Sequence, residues 1–274
     1  NSVSITASDS DAAEDTVGNI AITGNVIGAT SVAISTDQGN IELGTSGADG
    51  VATAVQAGTT LGVSTTTAGN VTVNGSLKTA AVNGSTVGDV TVSAAEGKVT
   101  LTAAGTEVTN VVDSGAAVSI TASDSDNNDT NQGNIDVSGN ILAAKAATLT
   151  ATNGALTLTG DLTAKDGQAK LEASNSGTYT TGTHATPLAG DVLVKGDVTS
   201  EKANVVITTD SGDITLGTDT TTNSSAVQAA TTLGVSTTTA GNVTVNGSLK
   251  TAAANGSTVG DVTVTATEGK VTLT

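Results

Sequence analysis

The sequence predicts an all-β protein: a right-handed parallel β-helix, or β-solenoid, with coils of about 19 residues. Three observations carry this reading. Apolar residues alternate with polar ones over short runs, the chain repeats itself at fixed offsets, and the residues available to fill a core are almost all small aliphatics.

Alternation gives the strands. Ile20 and Ile22, Val71 and Val73, Val90 and Val92, Val99 and Leu101, Ile135 and Val137, and Ile214 and Leu216 are each separated by one polar or small residue. A period of two places such pairs on one face of a strand. The runs are bounded by Gly-Asn, Gly-Asp or Asp-rich clusters that accept tight turns. Threonine, about a fifth of the chain, suits β-branched strand positions facing water. No window sustains the i, i+3, i+4, i+7 spacing of a helix, and glycine recurs too often for one.

Self-similarity gives the architecture. The run Val55–Thr102 returns at Val227–Thr274, an offset of 172, and Ser2–Asp11 returns at Ala117–Asp126, an offset of 115. Their difference, 57, is itself a repeat distance, because Gly133 onward aligns with Gly190 onward. One module beginning Gly-[Asn/Asp] starts at Gly18, Gly69, Gly133, Gly190 and Gly241. The values 57 and 172 lie near three and nine times about 19, the length of one solenoid turn, with extra residues bulging from turns. About 14 coils at the spacing of β-strands make a rod of roughly 65 to 70 Å. Residues 1–274 read as a single continuous solenoid cut from a longer array, with an insertion loop over about 175–189.

Composition favours the stack over separate β-sandwiches. The chain has one tyrosine and no Phe, Trp, Met or Cys. Short strands with two or three inward aliphatics would fill a sandwich core about 10 Å thick poorly, whereas ladders of Val, Ile, Leu and Ala in successive coils pack at about 4.8 Å. Composition also narrows function. The nine cations are scattered lysines and net charge is −17, which leaves no basic stripe for phosphates and no aromatic platform for bases. No apolar run approaches the roughly 18 residues of a spanning helix, so no membrane insertion is expected in this segment. The lack of cysteine suits export, since such a chain has no thiol to misoxidise.

Two stretches carry a family resemblance: GNVTVNGSLKTAAVNGSTVGDVTVSAAEGKVTLT from Gly69 and ATLTATNGALTLTGDLTAKDGQAKLEAS from Ala147. They resemble the central repeats of filamentous haemagglutinin-like adhesins, bacterial surface proteins exported by two-partner secretion, and the likeness in repeat style spans nearly the whole chain. It implies a right-handed β-helical shaft on the bacterial cell surface that holds a binding region away from the cell. The family's N-terminal secretion domain has no counterpart in these residues.

Each candidate site has a plainer role beside the functional one. Asp9, Asp11, Glu14 and Asp15, and Asp124, Asp126 and Asp129, follow matching strands. Calcium takes such oxygen ligands, making Asp9, Asp11, Asp124 and Asp126 the metal candidates. Neither cluster fits an EF-hand or a Gly-Gly-x-Gly-x-Asp nonapeptide, and a solvated acidic turn explains both. His184 shares an insertion with Tyr179 and Pro187; a lone histidine builds neither a triad nor a zinc site, so it reads as an exposed loop residue. Outward Thr72, Thr91, Thr100, Thr157, Thr215, Thr244 and Thr272 suggest an ice-binding rank, but Ala21, Glu42, Asp136 and Leu193 interrupt it. Asn-x-Ser/Thr triplets begin at Asn70, Asn74, Asn83, Asn128, Asn223, Asn242, Asn246 and Asn255, at the frequency composition alone supplies. Asn19, Asn70, Asn134 and Asn242 each follow a module glycine as turn residues, with an inward Asn ladder as a secondary reading.

The expected function is therefore structural and adhesive: the shaft of an extracellular bacterial surface or filament protein, acting by rigid extension and surface contact. No catalysis and no cofactor are expected, calcium apart. The alternative is a self-assembling surface-layer, sheath or filament coat protein. A polysaccharide-cleaving enzyme would need clustered carboxylates with basic residues and aromatic sugar platforms. Expected partners are neighbouring repeats of a longer chain or identical subunits, and a host or neighbouring-cell surface, with no nucleic acid.

Overall fold

A computed structural model describes residues 1–8, 18–45, 52–80, 86–104, 110–125, 133–176, 188–218, 224–252 and 259–274. It is a parallel β-helix. Every ladder pairing between strands in these residues is parallel, and the coils contribute strands to three sheets in a fixed order, the last of them to two among the described residues.

The first sheet holds ten strands: Val3–Ala7, Val32–Gln38, Leu61–Ala68, Val90–Ala94, Val118–Ser123, Ala147–Thr152, Ala169–Ala173, Val205–Ser211, Leu233–Ala240 and Val262–Ala266. Each opens a coil, so the described chain makes ten coils, numbered 1 to 10 in chain order. The second sheet runs from Ile20–Ile22 in coil 1 to Val271–Leu273 in coil 10. The third runs from Val26–Gly28 to Gly247–Thr251 in coil 9. In coil 3 one strand, Val71–Thr79, rounds the corner between these two sheets, pairing with Ile41–Leu43 on one and Thr53–Ala57 on the other.

The alternating residues face inward as expected. Val32, Leu61, Val90, Val118, Ala147, Ala169, Val205 and Leu233 form one ladder along the first sheet. Ile34, Val63, Val92, Ile120, Leu149, Leu171, Ile207 and Val235 form the next, and all sixteen of these side chains are buried. Because like residues stack, each Val or Leu meets an aliphatic neighbour above and below, and no large ring is required to fill the interior.

The coil count corrects the expectation from sequence. Second-sheet strands advance by as few as 21 residues, from Ile20 to Ile41 and from Ile135 to Leu156, but by 36 from Val99 to Ile135. The bare coil is therefore close to the expected length, while insertions at corners consume enough chain to leave ten coils instead of about 14. At about 4.8 Å per step the stack is roughly 45 Å long, shorter than the expected rod. The five module glycines start second-sheet strands of coils 1, 3, 5, 7 and 9. The repeating unit is thus a pair of coils, and the offsets 57, 115 and 172 are two, four and six coils.

Polar residues at inward corner positions are tied to backbone. Thr65 donates to the Gly69 carbonyl at 3.0 Å and accepts from the Ala95 amide at 3.0 Å. Thr36, Thr209 and Thr237 donate to the carbonyls of Gln38, Gly190 and Gly241. At the corner leading back to the first sheet, Thr79, Ser114 and Ser200 donate to the carbonyls of Gly88, Ala117 and Gly167. These hydroxyls supply partners for carbonyls where the chain bends, and the Ala117 carbonyl accepts from the Val90 amide as well.

Candidate contact faces

The outer surface is where chemistry is available. On the first sheet, one outward rank reads Thr6, Ser35, Ser64, Ser93, Thr121, Thr150, Glu172, Thr208, Ser236 and Thr265 in register. Nine of these ten positions carry a hydroxyl, at the strand spacing of about 4.8 Å. Glu172 is the exception, and it pairs with Lys170 of its own strand at 2.6 Å. The rank offers donors and acceptors in a line without any titrating group except Glu172, which makes a hydrated, hydrogen-bonding face. Alternation within each strand is legible in the sequence, but this alignment needs the register between coils, so sequence reasoning does not single it out.

The second sheet carries most of the candidate ice-binding threonines. Ala21, Glu42, Thr72, Thr100, Asp136, Thr157, Leu193, Thr215, Thr244 and Thr272 occupy one rank. The interruptions expected from sequence thus fall within a single line, and Asp136 also pairs with Lys98 of the preceding coil. Thr91 lies elsewhere, on the first sheet. Exposed ion pairs between adjacent coils, Lys78 with Asp113 at 2.7 Å and Lys202 with Asp166 at 3.5 Å, add little stability in water.

At the corner between first and second sheets the residue after each module glycine bridges coils. Asn19, Asn40 and Asn70 accept through Oδ1 from the backbone amides of Asn40, Asn70 and Lys98, at 2.7, 2.9 and 2.8 Å. Asn134, Asp191, Asp213 and Asn242 do the same for Ala155, Asp213, Asn242 and Lys270. A second such ladder at the next corner uses Asn25, Asn140, Asp161 and Asp197. These side chains lie at the surface or half-buried, which corrects the inward Asn ladder. The sequence signal is the recurring Gly-Asn or Gly-Asp pair. Asn70 and Asn242 also donate through Nδ2 to Asn40 and Asp213, so in these two triplets the amide nitrogen is already engaged. Asn70→Ala removes the acceptor for the Lys98 amide at an exposed site, where water substitutes. Its expected effect is a loss of about 1 kcal/mol, read as a lower urea midpoint at unchanged slope.

Of the four metal candidates, Asp9, Asp11 and Asp126 lie outside the described residues, as do Glu14, Asp15, Asp129, Tyr179, His184, Pro187 and the triplets at Asn83, Asn128, Asn223 and Asn255. Asp124 is fully buried instead of sitting in a solvated turn. Its amide donates to the Thr152 carbonyl, and its own carbonyl accepts from Asn153 Nδ2 at 2.7 Å. Ser8 and Asp124, from which the two acidic segments depart, belong to coils 1 and 5, about 19 Å apart along the axis. Among the described residues no three His, Cys, Asp or Glu side chains are grouped to hold a metal ion, and no helix is long and apolar enough to cross a membrane. Comparison of the chain with protein-family models, curated proteins and solved structures finds no match.

Proposed function

We propose that this chain is part of the shaft of an extracellular bacterial surface or filament protein, working by rigid extension and surface contact without catalysis. The observation that carries the reading is continuity: inward aliphatic ladders run from Val32 to Val245 without a break in coil order. In such a stack each coil is supported by its two neighbours, so length can be added by repetition while stiffness is retained. The outer faces offer hydroxyls, amides and paired charges, the chemistry of a wetted contact surface. The absence of cysteine agrees with an oxidising exterior. The likeness to filamentous haemagglutinin-like repeats supports the same role through repeat style, and the reading rests chiefly on architecture.

Antibodies raised against residues 1–274 and used for immunogold electron microscopy of the source cells test it. Label should lie outside the envelope and be displaced from it. Label confined to the cytoplasm would remove the shaft reading.

A further inference from the structure

We infer that the outer face of the first sheet docks a second copy of this chain, the two solenoids lying side by side and pointing the same way about a two-fold axis parallel to their length. This gives the proposed shaft its contact partner. The common direction rests on that reading, since shafts projecting from one envelope point the same way.

Charge singles out this face. The chain holds 26 acidic and nine basic side chains, and the other two sheets display several of them, Glu42 and Asp136 on the second and Lys78 and Asp113 on the third. On the first sheet the hydroxyl rank from Thr6 to Thr265 is flanked by another outward rank, two residues earlier in each strand, from Ser4 to Thr263. That rank carries Ser or Thr in five coils and Ala33, Gly62, Val206 and Gly234 in four more. The remaining position is Lys170. The only charges in either rank are therefore Lys170 and Glu172 of coil 7, which balance each other and stay 33% and 38% exposed. A second strongly acidic chain can approach here without meeting unbalanced charge.

The two ranks also fit each other across such an axis. The rotation sets each coil against the same coil of the partner and reverses strand direction, so the Ser4 rank of one copy lies over the Thr6 rank of the other. Lys170 then faces the partner's Glu172, and Glu172 the partner's Lys170, four charges of alternating sign. Antiparallel solenoids would instead set each rank against itself, with Lys170 over a lysine or an uncharged residue. At Ala33, Gly62 and Gly234 the partner's Ser35, Ser64 and Ser236 meet a small side chain or none, which leaves room for a bridging water. Where both positions are hydroxyls, as at Thr91 with the partner's Ser93 and Thr148 with the partner's Thr150, each can donate or accept. Both copies carry the same strand spacing of about 4.8 Å, so the match recurs from coil to coil. Asp37 and Asp210, which follow the hydroxyl rank by two residues, fall over the partner's Ser31 and Asn204, so no carboxylates meet at the margin.

Two ranks over ten coils make a face about 45 Å by about 14 Å, roughly 600 Å² per copy. The pair covers about 1,200 Å², where stable specific interfaces begin. Neither rank holds an aromatic ring to stack on a sugar, which favours a second copy over a polysaccharide.

Sedimentation velocity of the 274-residue chain over rising concentration tests this, with far-UV circular dichroism as the check on folding and negative-stain electron microscopy to show rods lying in pairs. Wild type should be a monomer–dimer equilibrium. Lys170→Glu and Glu172→Lys each set like charges against like, and each alone should weaken self-association about tenfold or more. Their equimolar mixture should recover the dimer, because two acids of one copy then face two lysines of the other. The double variant Lys170→Glu/Glu172→Lys should dimerise as wild type does. Ser93→Lys, on the same face in coil 4, should also lose the dimer and serves if a coil 7 variant loses its β signal, whereas Thr157→Lys on the second sheet should leave the dimer intact. Wild type that stays monomeric overturns the inference and leaves the face to a partner of other chemistry. Association that the single reversals leave unweakened overturns it as well, because another surface then makes the contact, and so does a mixture without heterodimer. Failure here is separable from failure of the shaft reading, which is decided by the immunogold label.

Discussion

Removing residues 133–153 is expected to leave a folded nine-coil stack, whereas removing residues 98–116, a deletion of nearly the same size, should abolish cooperative unfolding. The first deletion joins residue 132 to Gly154, replacing one second-sheet strand by the next. Val99 then meets Leu156 instead of Ile135, and Ile120 meets Leu171 instead of Leu149. Each exchange keeps an aliphatic against an aliphatic, and with nearest-neighbour energetics the rest of the stack is unaware of the loss. The urea slope should fall by about a tenth, in line with the surface removed. The second deletion takes out the second- and third-sheet strands of coil 4 and joins Gly97 to Ala117. The strand ending at Ala94 and the one beginning at Val118 are neighbouring parallel strands. Joined by so few residues they cannot both keep their places, because a parallel crossover needs a dozen residues or more. Circular dichroism and urea titration of both variants check this; equal tolerance of the two would refute the coil boundaries given above.

The same contrast between strand and coil separates what a single sequence displays from what only the folded chain reveals. Two-residue alternation identifies the inward pairs, and Val71 with Val73, Val90 with Val92 and Ile135 with Val137 are all in the core. Alternation depends only on neighbours within one strand, and a single sequence displays those directly. Coil length depends on how far the chain travels before it returns. The offset 57 divides almost equally well by two and by three, while insertions at corners make individual coils range from 21 to 36 residues between second-sheet strands. Repeat arithmetic therefore finds the paired-coil unit and misjudges the number of coils.

Corners are the other blind spot. Thr65 has the same parity as Leu61 and Val63 and so belongs inside, yet a hydroxyl counts as polar in any pattern, and only its bonds to Gly69 and Ala95 account for its burial. Asp124 is the sharper case. In sequence it opens an acidic cluster, and in space it is enclosed, with its backbone bonded to Thr152 and Asn153 of the next coil. The bonds that hold it there are made by its backbone, and no pattern of charge in the sequence displays them. The functional surface follows the same division. Each hydroxyl of the first-sheet rank is readable as an outward residue, but the line they form exists only through inter-coil register.

Gly69→Ala should destabilise the protein by about 3 kcal/mol or more, while Gly62→Thr, seven residues earlier, should be neutral or stabilise it by up to about 1 kcal/mol. Gly69 has φ +141°, and a Cβ there would lie 1.9 Å from the Gly39 carbonyl oxygen of the coil beneath. That contact is backbone on backbone, so relief requires the two coils to part at a corner where Gly39 N–H bonds the Ala68 carbonyl and Gly69 N–H bonds the Ala95 carbonyl. Gly62 points outward from the first sheet with nothing within 4 Å of its added Cβ. There a β-branched residue limits the unfolded chain and suits the strand, extending the column in which Thr91 is its neighbour. Urea midpoints of the two variants at constant slope measure the difference. Gly241 repeats Gly69 with the same 1.9 Å approach, to Gly212, in coil 9. Gly241→Ala should therefore carry a penalty of the same kind, because its added Cβ meets the Gly212 carbonyl oxygen as that of Gly69 meets the Gly39 oxygen. A Gly241→Ala variant with the urea midpoint of wild type would refute the equivalence of the two corners.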